Sequence, residues 1–294
     1  MNRQIRTGKT MLKMLGGRSV ALINDPPQAK PRYGYGKPAH PLLLERIEQG
    51  REEYRRWLQR FLRLADNYRR IPVDPDNPQR DATTPCWQNR WFPGLDAVTL
   101  YGLIACTKPA RYLEIGSGFS TMFARRVVTD HGLDCRITSI DPKPRSDISS
   151  ICDCVYRRRL ENMDLAVFES LEAGDILFVD GSHRILMNSD VVVVFLEILP
   201  RLRPGVLVHF HDIWLPHDYP VKWADRYYTE QYMLATLLLF GNQYDIVMPN
   251  RFITDDDELS RVLAPLWASS ELAAAPRHGG SFWIKRRKGS DPCP

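Results

Sequence analysis

The spacing of apolar positions changes several times along the chain, and each change marks an element. Between residues 42 and 70, Leu44, Ile47, Tyr54, Leu58, Phe61, Ala65 and Tyr68 recur at helical intervals, with Glu and Arg between them. This pattern predicts a long amphipathic helix with a weak point at Gly50. A second helix is expected over residues 95–106, closed by Lys108-Pro109. Tyr112, Leu113 and Ile115 then form the short apolar run of a buried strand, which Gly116-Ser117-Gly118 interrupts. Beyond the glycines, Phe119, Met122, Phe123 and Val127 share one side of a further helix. Strands are expected at 135–140, 152–157, 175–179, 206–210, 244–248 and 281–285. Helices are expected at 165–171, 186–202, 227–240 and 258–267.

Strands alternating with helices imply a doubly wound α/β sheet, whose ligands bind beyond the carboxyl ends of the strands. Four expected strands end in polar residues: Gly116–Gly118, Asp141, Asp180–His183 and His211-Asp212. Their convergence at one sheet edge marks a candidate site. Residues 1–40 are rich in turn-forming residues and read as irregular, as does the Pro-rich connection 71–93. That connection carries Trp87, Trp91 and Phe92, expected to be either a packed cap or a wall facing substrate.

Composition narrows the class. A chain of 294 residues with 44% hydrophobic and 26% charged residues can bury a substantial core and is ordinary for a soluble protein. The net charge of +5 is dispersed rather than striped, so no nucleic-acid partner is expected. Arg3, Arg6, Lys9 and Lys13 precede an apolar run too short for a signal peptide or membrane span. The six cysteines, including Cys152-Asp153-Cys154, lack the spacing of a disulfide framework or zinc site. Reduced thiols in the cytoplasm are the expectation.

The glycine loop admits three ligand classes. A phosphate-binding P-loop needs Lys and Ser or Thr after the last Gly, where Phe119-Ser120 stands. A dinucleotide site needs a third Gly, where Thr121 stands. S-adenosylmethionine fits Glu114 ahead of Gly116-Ser117-Gly118. Asp141, 23 residues beyond Gly118, stands where such folds place a carboxylate on the ribose hydroxyls, since its oxygens accept both hydrogen bonds of a diol.

With these motifs together, YLEIGSG, SIDPKPR, LFVDGSH and RPGVLVHFHDIW, the chain resembles class I S-adenosylmethionine-dependent methyltransferases. It looks most like a bacterial group with V-D-G-S-H and H-D-I motifs. The resemblance covers residues 85–288, leaving 1–84 as an N-terminal extension and 289–294 as a tail. It implies a Rossmann-like seven-stranded sheet with the last strand antiparallel and an added N-terminal helical segment. It implies that Glu114, Gly116, Ser117 and Gly118 contact the methionyl part of the cofactor, that Asp141 holds the ribose, and that Asp180 lies close to the sulfonium. The adenine pocket is expected near residues 160–164.

Methyl transfer needs an aligned acceptor and a route for its proton. Catalytic candidates are His183, His211 and Asp180. Alternatively Asp180, His211 and Asp212 would hold a divalent metal, Mg, Mn or Fe, that acidifies the acceptor. The expected acceptor is a hydroxyl of a sugar, polysaccharide or natural product, and the N-terminal helix offers a surface for a homo-oligomer. Rival readings are a metal-dependent hydroxylase of related fold, an NAD-dependent oxidoreductase and a non-catalytic cofactor-binding protein.

Overall fold

The computed structural model describes residues 30–78, 80–144 and 147–288. The N-terminal basic residues, Cys293 and the tail named above lie outside them. Helices α1 (Pro41–Glu48), α2 (Arg51–Leu62) and α3 (Ala65–Arg69) come first, then α4 (Gly94–Thr107), β1 (Arg111–Ile115), α5 (Phe119–Asp130), β2 (Arg136–Ile140) and β3 (Cys154–Tyr156). The chain continues through α6 (Ala166–Glu169), β4 (Ile176–Val179), α7 (Asp190–Val193), β5 (Leu207–Phe210), α8 (Glu230–Phe240) and β6 (Tyr244–Pro249). It closes with α9 (Asn250–Asp255), α10 (Asp257–Arg261), α11 (Ala264–Trp267) and β7 (Phe282–Arg286).

The seven strands form one sheet in the order β3-β2-β1-β4-β5-β7-β6. β7 runs antiparallel to both of its neighbours, and the other pairings are parallel. After β1 the chain winds out through β2 to β3, then returns to β4 on β1's other side. That reversal opens a crevice at the carboxyl ends of β1 and β4. Register brings Ile115 opposite Val179 and Val179 opposite Phe210, so the residues following β1, β4 and β5 emerge side by side.

The expected helix over 42–70 is broken twice. At Gly50 an added Cβ would run into the Tyr54 ring, and the Tyr54 hydroxyl donates to the Ile47 carbonyl at 2.8 Å. The second break, between Leu62 and Ala65, carries no Gly or Pro signal. The apolar face of these helices, Ile47, Tyr54, Leu58, Phe61 and Tyr68, is buried in the same core as the sheet. That face therefore covers the main domain.

Four other expected helices are shorter or broken, the one over 165–171 being reduced to Ala166–Glu169. The one over 186–202 starts only at Asp190, because Ser189 Oγ receives the Leu186 N–H and donates to the Arg184 carbonyl, closing a loop. It then widens into a π turn over Val194–Ile198 before Pro200, which has no N–H to continue the ladder. The helix expected at 227 starts at Glu230, since Tyr227 has left-handed backbone, φ 54°. The segment 258–267 is two short helices, with Asp256 capping the first through the Glu258 and Leu259 N–H groups and Pro265 starting the second.

α2 sits on α4 where Phe61 fills the space above Gly102. Gly102→Ala should therefore cost about 1–3 kcal/mol by overpacking, read as a lower urea midpoint. An unchanged midpoint would mean that the helix is not seated there.

Candidate active site

The site is built from the loop after β1. Gly116 has φ 80°, and an added Cβ would run into the carbonyl oxygen of Asp180. The Asp180 N–H in turn donates to the Ile115 carbonyl at 2.8 Å. Asp141, beyond β2, pins the loop from the other side. Its Oδ2 accepts the Ser117 N–H at 2.9 Å and its Oδ1 the Lys143 N–H at 2.7 Å. The Gly118 N–H donates to Thr121 Oγ1 at 3.1 Å, and Thr121 donates to Glu114 Oε2. The Tyr112 hydroxyl donates to Glu114 Oε1 at 3.0 Å. Glu114 is fully buried under the loop and faces these hydroxyls. Burial pushes its carboxyl up to about 8, against the opposing pull of the Ser120, Thr121 and Tyr112 hydroxyls.

Above the loop lies a cleft of about 390 Å³, bordered by Gly116, Ser117, Asp141, Leu160, Glu161 and Asp180. A notch of about 90 Å³ between Trp91, Phe92, Gly118 and Phe119 shares Ser117 and Asp180 with it. A larger cavity, about 820 Å³, lies beside Gly174, Gly205 and Lys285 at the amino ends of the strands. None of the candidate site residues borders it, so size does not mark the site here.

Asp180 belongs to a cluster of acids and imidazoles. His183 Nε2 lies 3.1 Å from Asp180 Oδ1 and 3.8 Å from Asp212 Oδ2, and its Nδ1 lies 2.8 Å from Glu230 Oε2. His211 Nδ1 lies 3.6 Å from Asp180 and 3.7 Å from Asp212. Its Nε2 is 3.5 Å from Asp96 Oδ2, a charge contact without hydrogen-bond geometry. Asp96 is fully buried, and it accepts the N–H groups of Gly280 and Ser281 and the amide of Asn250.

Burial alone would lower both imidazoles. Asp180 and Glu230 outweigh it at His183, and Asp180, Asp212 and Asp96 do so at His211, so both are held well above the usual histidine range. Burial would likewise raise Asp180, but His211 and His183 hold its carboxyl well below the usual range. His183 and Asp212 both have left-handed backbone, φ 60° and 56°. Such conformations cost energy and persist where the surroundings enforce them.

The structure brings together the loop, Asp141, Asp180, His183, His211 and Asp212. It places Glu114 beneath the loop, away from the cleft. Of the aromatics in the connection, Trp87 is packed in the core, Phe92 is buried but borders the notch, and Trp91 is 54% exposed there. His209 is a core residue, stacked on Phe178 at 3.6 Å and hydrogen-bonded to Ser281.

The metal set expected from Asp180, His211 and Asp212 does not form as placed. Each ring nitrogen faces a carboxylate, and among the described residues no three His, Cys, Asp or Glu side chains converge to hold an ion. Sequence reasoning missed Asp96 and Glu230, whose carboxylates meet the imidazoles only through tertiary packing. It also read Thr121 as a missing glycine, although Thr121 links the loop to Glu114.

Residues 113–213 match the family model for a methyltransferase domain. The matched stretch runs from β1 to just beyond β5 and contains every expected site residue. No curated protein matches the chain. Among solved structures, a methyltransferase from Podospora anserina bound to S-adenosylhomocysteine is 14% identical, covering 98% of this chain and 97% of that one, with a TM-score of 0.41. An O-methyltransferase from Bacillus cereus in complex with the same product is 15% identical, covering 79% and 90%, with a TM-score of 0.37. At such identities and scores these are loose likenesses of shape.

An added Cβ on Gly118 meets nothing within 4 Å. Gly118→Ala should therefore leave the unfolding midpoint unchanged while weakening S-adenosylhomocysteine binding, measured by calorimetry. Gly116→Ala should lower the midpoint as well. Equal, undiminished binding in a folded Gly118→Ala protein would remove the loop from the cofactor site.

Glu114 supplies a pH test. A carboxyl raised from 4.5 to about 8 takes up a proton on folding, so its contribution makes stability fall as pH rises through that window. Glu114→Gln should flatten this part of a melting-temperature profile. An unchanged slope would show that the carboxylate is buried ionised.

Proposed function

We propose that the protein is an S-adenosylmethionine-dependent methyltransferase acting on a hydroxyl of a sugar, polysaccharide or natural product. The observation that carries this reading is the position of Asp180. It borders both the cleft above the glycine loop and the notch beside Trp91, so a donor in one and an acceptor in the other would meet at its carboxylate.

The residues fit the cofactor. Gly118 leaves open the space that a Cβ would fill. Asp141 borders the cleft with oxygens that keep acceptor capacity after taking one backbone N–H each. Gly116, Ser117 and Gly118 would hold the methionyl part, Asp141 the ribose and the turn Leu160–Asn162 the adenine. Glu114 supports the loop from below. The bound sulfonium supplies an already activated methyl group.

The chain's own contribution is alignment and proton handling. An attacking hydroxyl becomes strongly acidic as its new bond to carbon forms, so a weak base is enough. Asp180 accepts that proton, with His183 and His211 keeping it ionised until the acceptor arrives. Glu230 fixes the His183 ring through Nδ1. Protonation of Asp180 removes one negative charge as the reaction removes one positive charge, so the buried site keeps its net charge. No step runs through a metal. A reducing, cytoplasmic setting fits the five described cysteines, all of which are free. Among the described residues no helix is long and apolar enough to cross a membrane.

Calorimetry with S-adenosylmethionine, S-adenosylhomocysteine and NAD tests the reading. The first two should bind, and Asp141→Ala should weaken them by about 1.5–3 kcal/mol. Binding of NAD alone would overturn it. In turnover assays on hydroxylated acceptors, Asp180→Asn should lose activity while retaining product affinity, and a chelator should have no effect. Loss of turnover on chelation, restored by Mn²⁺, would reinstate the metal reading.

A further inference from the structure

Beside the catalytic cluster lies a second pocket of about 350 Å³, walled by Tyr219, Trp223, Tyr227, Tyr228 and Tyr232. It is joined to the cluster through one ring, because Tyr228 packs on His183 with centroids 4.5 Å apart. On the cluster's other side Phe92 packs on His211 at 5.6 Å. The acids and imidazoles are thus flanked by aromatic rings, and the Tyr228 side continues into this cavity.

The walls have a particular chemistry. Every aromatic side chain in them is Tyr or Trp, each with an apolar face and a polar tip. The Tyr219 hydroxyl accepts the Gln231 N–H at 3.3 Å, and the Tyr232 hydroxyl donates to Asp218 at 3.3 Å. Lys30 and Arg32 stand at the border. Arg226 lies 3.9 Å over the Trp223 ring and 3.8 Å from Asp212, linking the pocket to the cluster a second time. A flat aromatic ligand would be served by purely apolar walls. A ring with apolar faces and a hydroxyl-bearing edge needs faces and polar tips together.

Tyr227 adds an independent sign. It is 43% exposed yet held at φ 54°, the same left-handed region as His183 and Asp212. Tyrosine gains nothing from that conformation locally, so the surrounding fold imposes it.

We propose that this pocket is a distal acceptor subsite for a sugar ring, so that the acceptor is a glycan or glycoside of at least two linked rings. The proposal rests on the methyltransferase reading for the identity of the reacting hydroxyl. One ring stacks among Trp223, Tyr227 and Tyr228, while its neighbour presents a hydroxyl to Asp180. Binding energy from the remote ring then holds the reacting one in place.

The test is binding of the full-length protein, saturated with S-adenosylhomocysteine, to an array of defined oligosaccharides with a parallel panel of polyphenols. Wild type should retain one structural class of oligosaccharide and no polyphenol. Trp223→Ala should weaken that binding by about tenfold or more. Because Trp223 also packs on Trp214, Tyr227→Gly is the second variant. It removes a ring while relieving the left-handed backbone, and it should weaken glycan binding similarly with an unchanged melting temperature. Both variants should bind S-adenosylhomocysteine as wild type does. Capture of no oligosaccharide, capture of polyphenols alone, or undiminished glycan binding in both variants would overturn the subsite. Glycan capture without cofactor affinity would instead uphold the pocket and sink the methyltransferase reading.

Discussion

Only a hydrogen atom fits between the backbone at residue 116 and the carbonyl oxygen of Asp180. This close approach follows from the switch point, where β1 and β4 are neighbours and the chain must leave their ends in different directions. Gly116 turns away in left-handed backbone, and Asp180 closes the gap by donating its N–H to Ile115. Two features that appear separate in the sequence, a glycine loop and an acidic residue some sixty positions later, are therefore one structural unit. Cleft and notch share Asp180 for the same reason.

Around that unit the molecule buries an unusual amount of charge. Glu114, Asp96 and Glu230 are fully inaccessible, and His183 and His211 nearly so. Burying charge is costly unless each group is paired. Here the groups solve the problem in different ways. Asp96 is satisfied by backbone and amide donors beside an imidazole, Glu230 is paired with an imidazole through one oxygen only, and the Glu114 carboxyl is raised in pKa while hydroxyls donate to it. The arrangement leaves Asp180 and Asp212 as the partly exposed members, and of the two Asp180 borders the cleft.

Much of this was legible in the sequence, because strand periodicity and strand-end motifs are local signals. Glycines, Asp141, Asp180, His183 and His211 follow apolar runs whose parallel pairing puts their ends on one edge. Asp96 and Glu230 lie in helices with no motif around them, and only packing gives them partners. The start of the helix at Asp190 was misread because Leu186 and Met187 continue its apolar pattern while being exposed. A side-chain hydrogen bond at Ser189 decided the boundary, which periodicity does not register. The breaks in the N-terminal helices divide in the same way: Gly50 announces itself, whereas the turn before Ala65 does not.

The bonds from Gly280 and Ser281 to Asp96 span 184 and 185 positions of chain. They tie the first turn of α4 to the residues entering β7, directly behind His211. During synthesis the glycine loop, β4 and β5 all leave the ribosome well before those two residues do. Until they arrive, the Asp96 carboxylate lacks its backbone donors and His211 lacks a settled neighbour. This edge of the sheet is thus completed only when β7 arrives, and a nascent chain carries an unfinished cluster until the strand that follows Ser281 has been made.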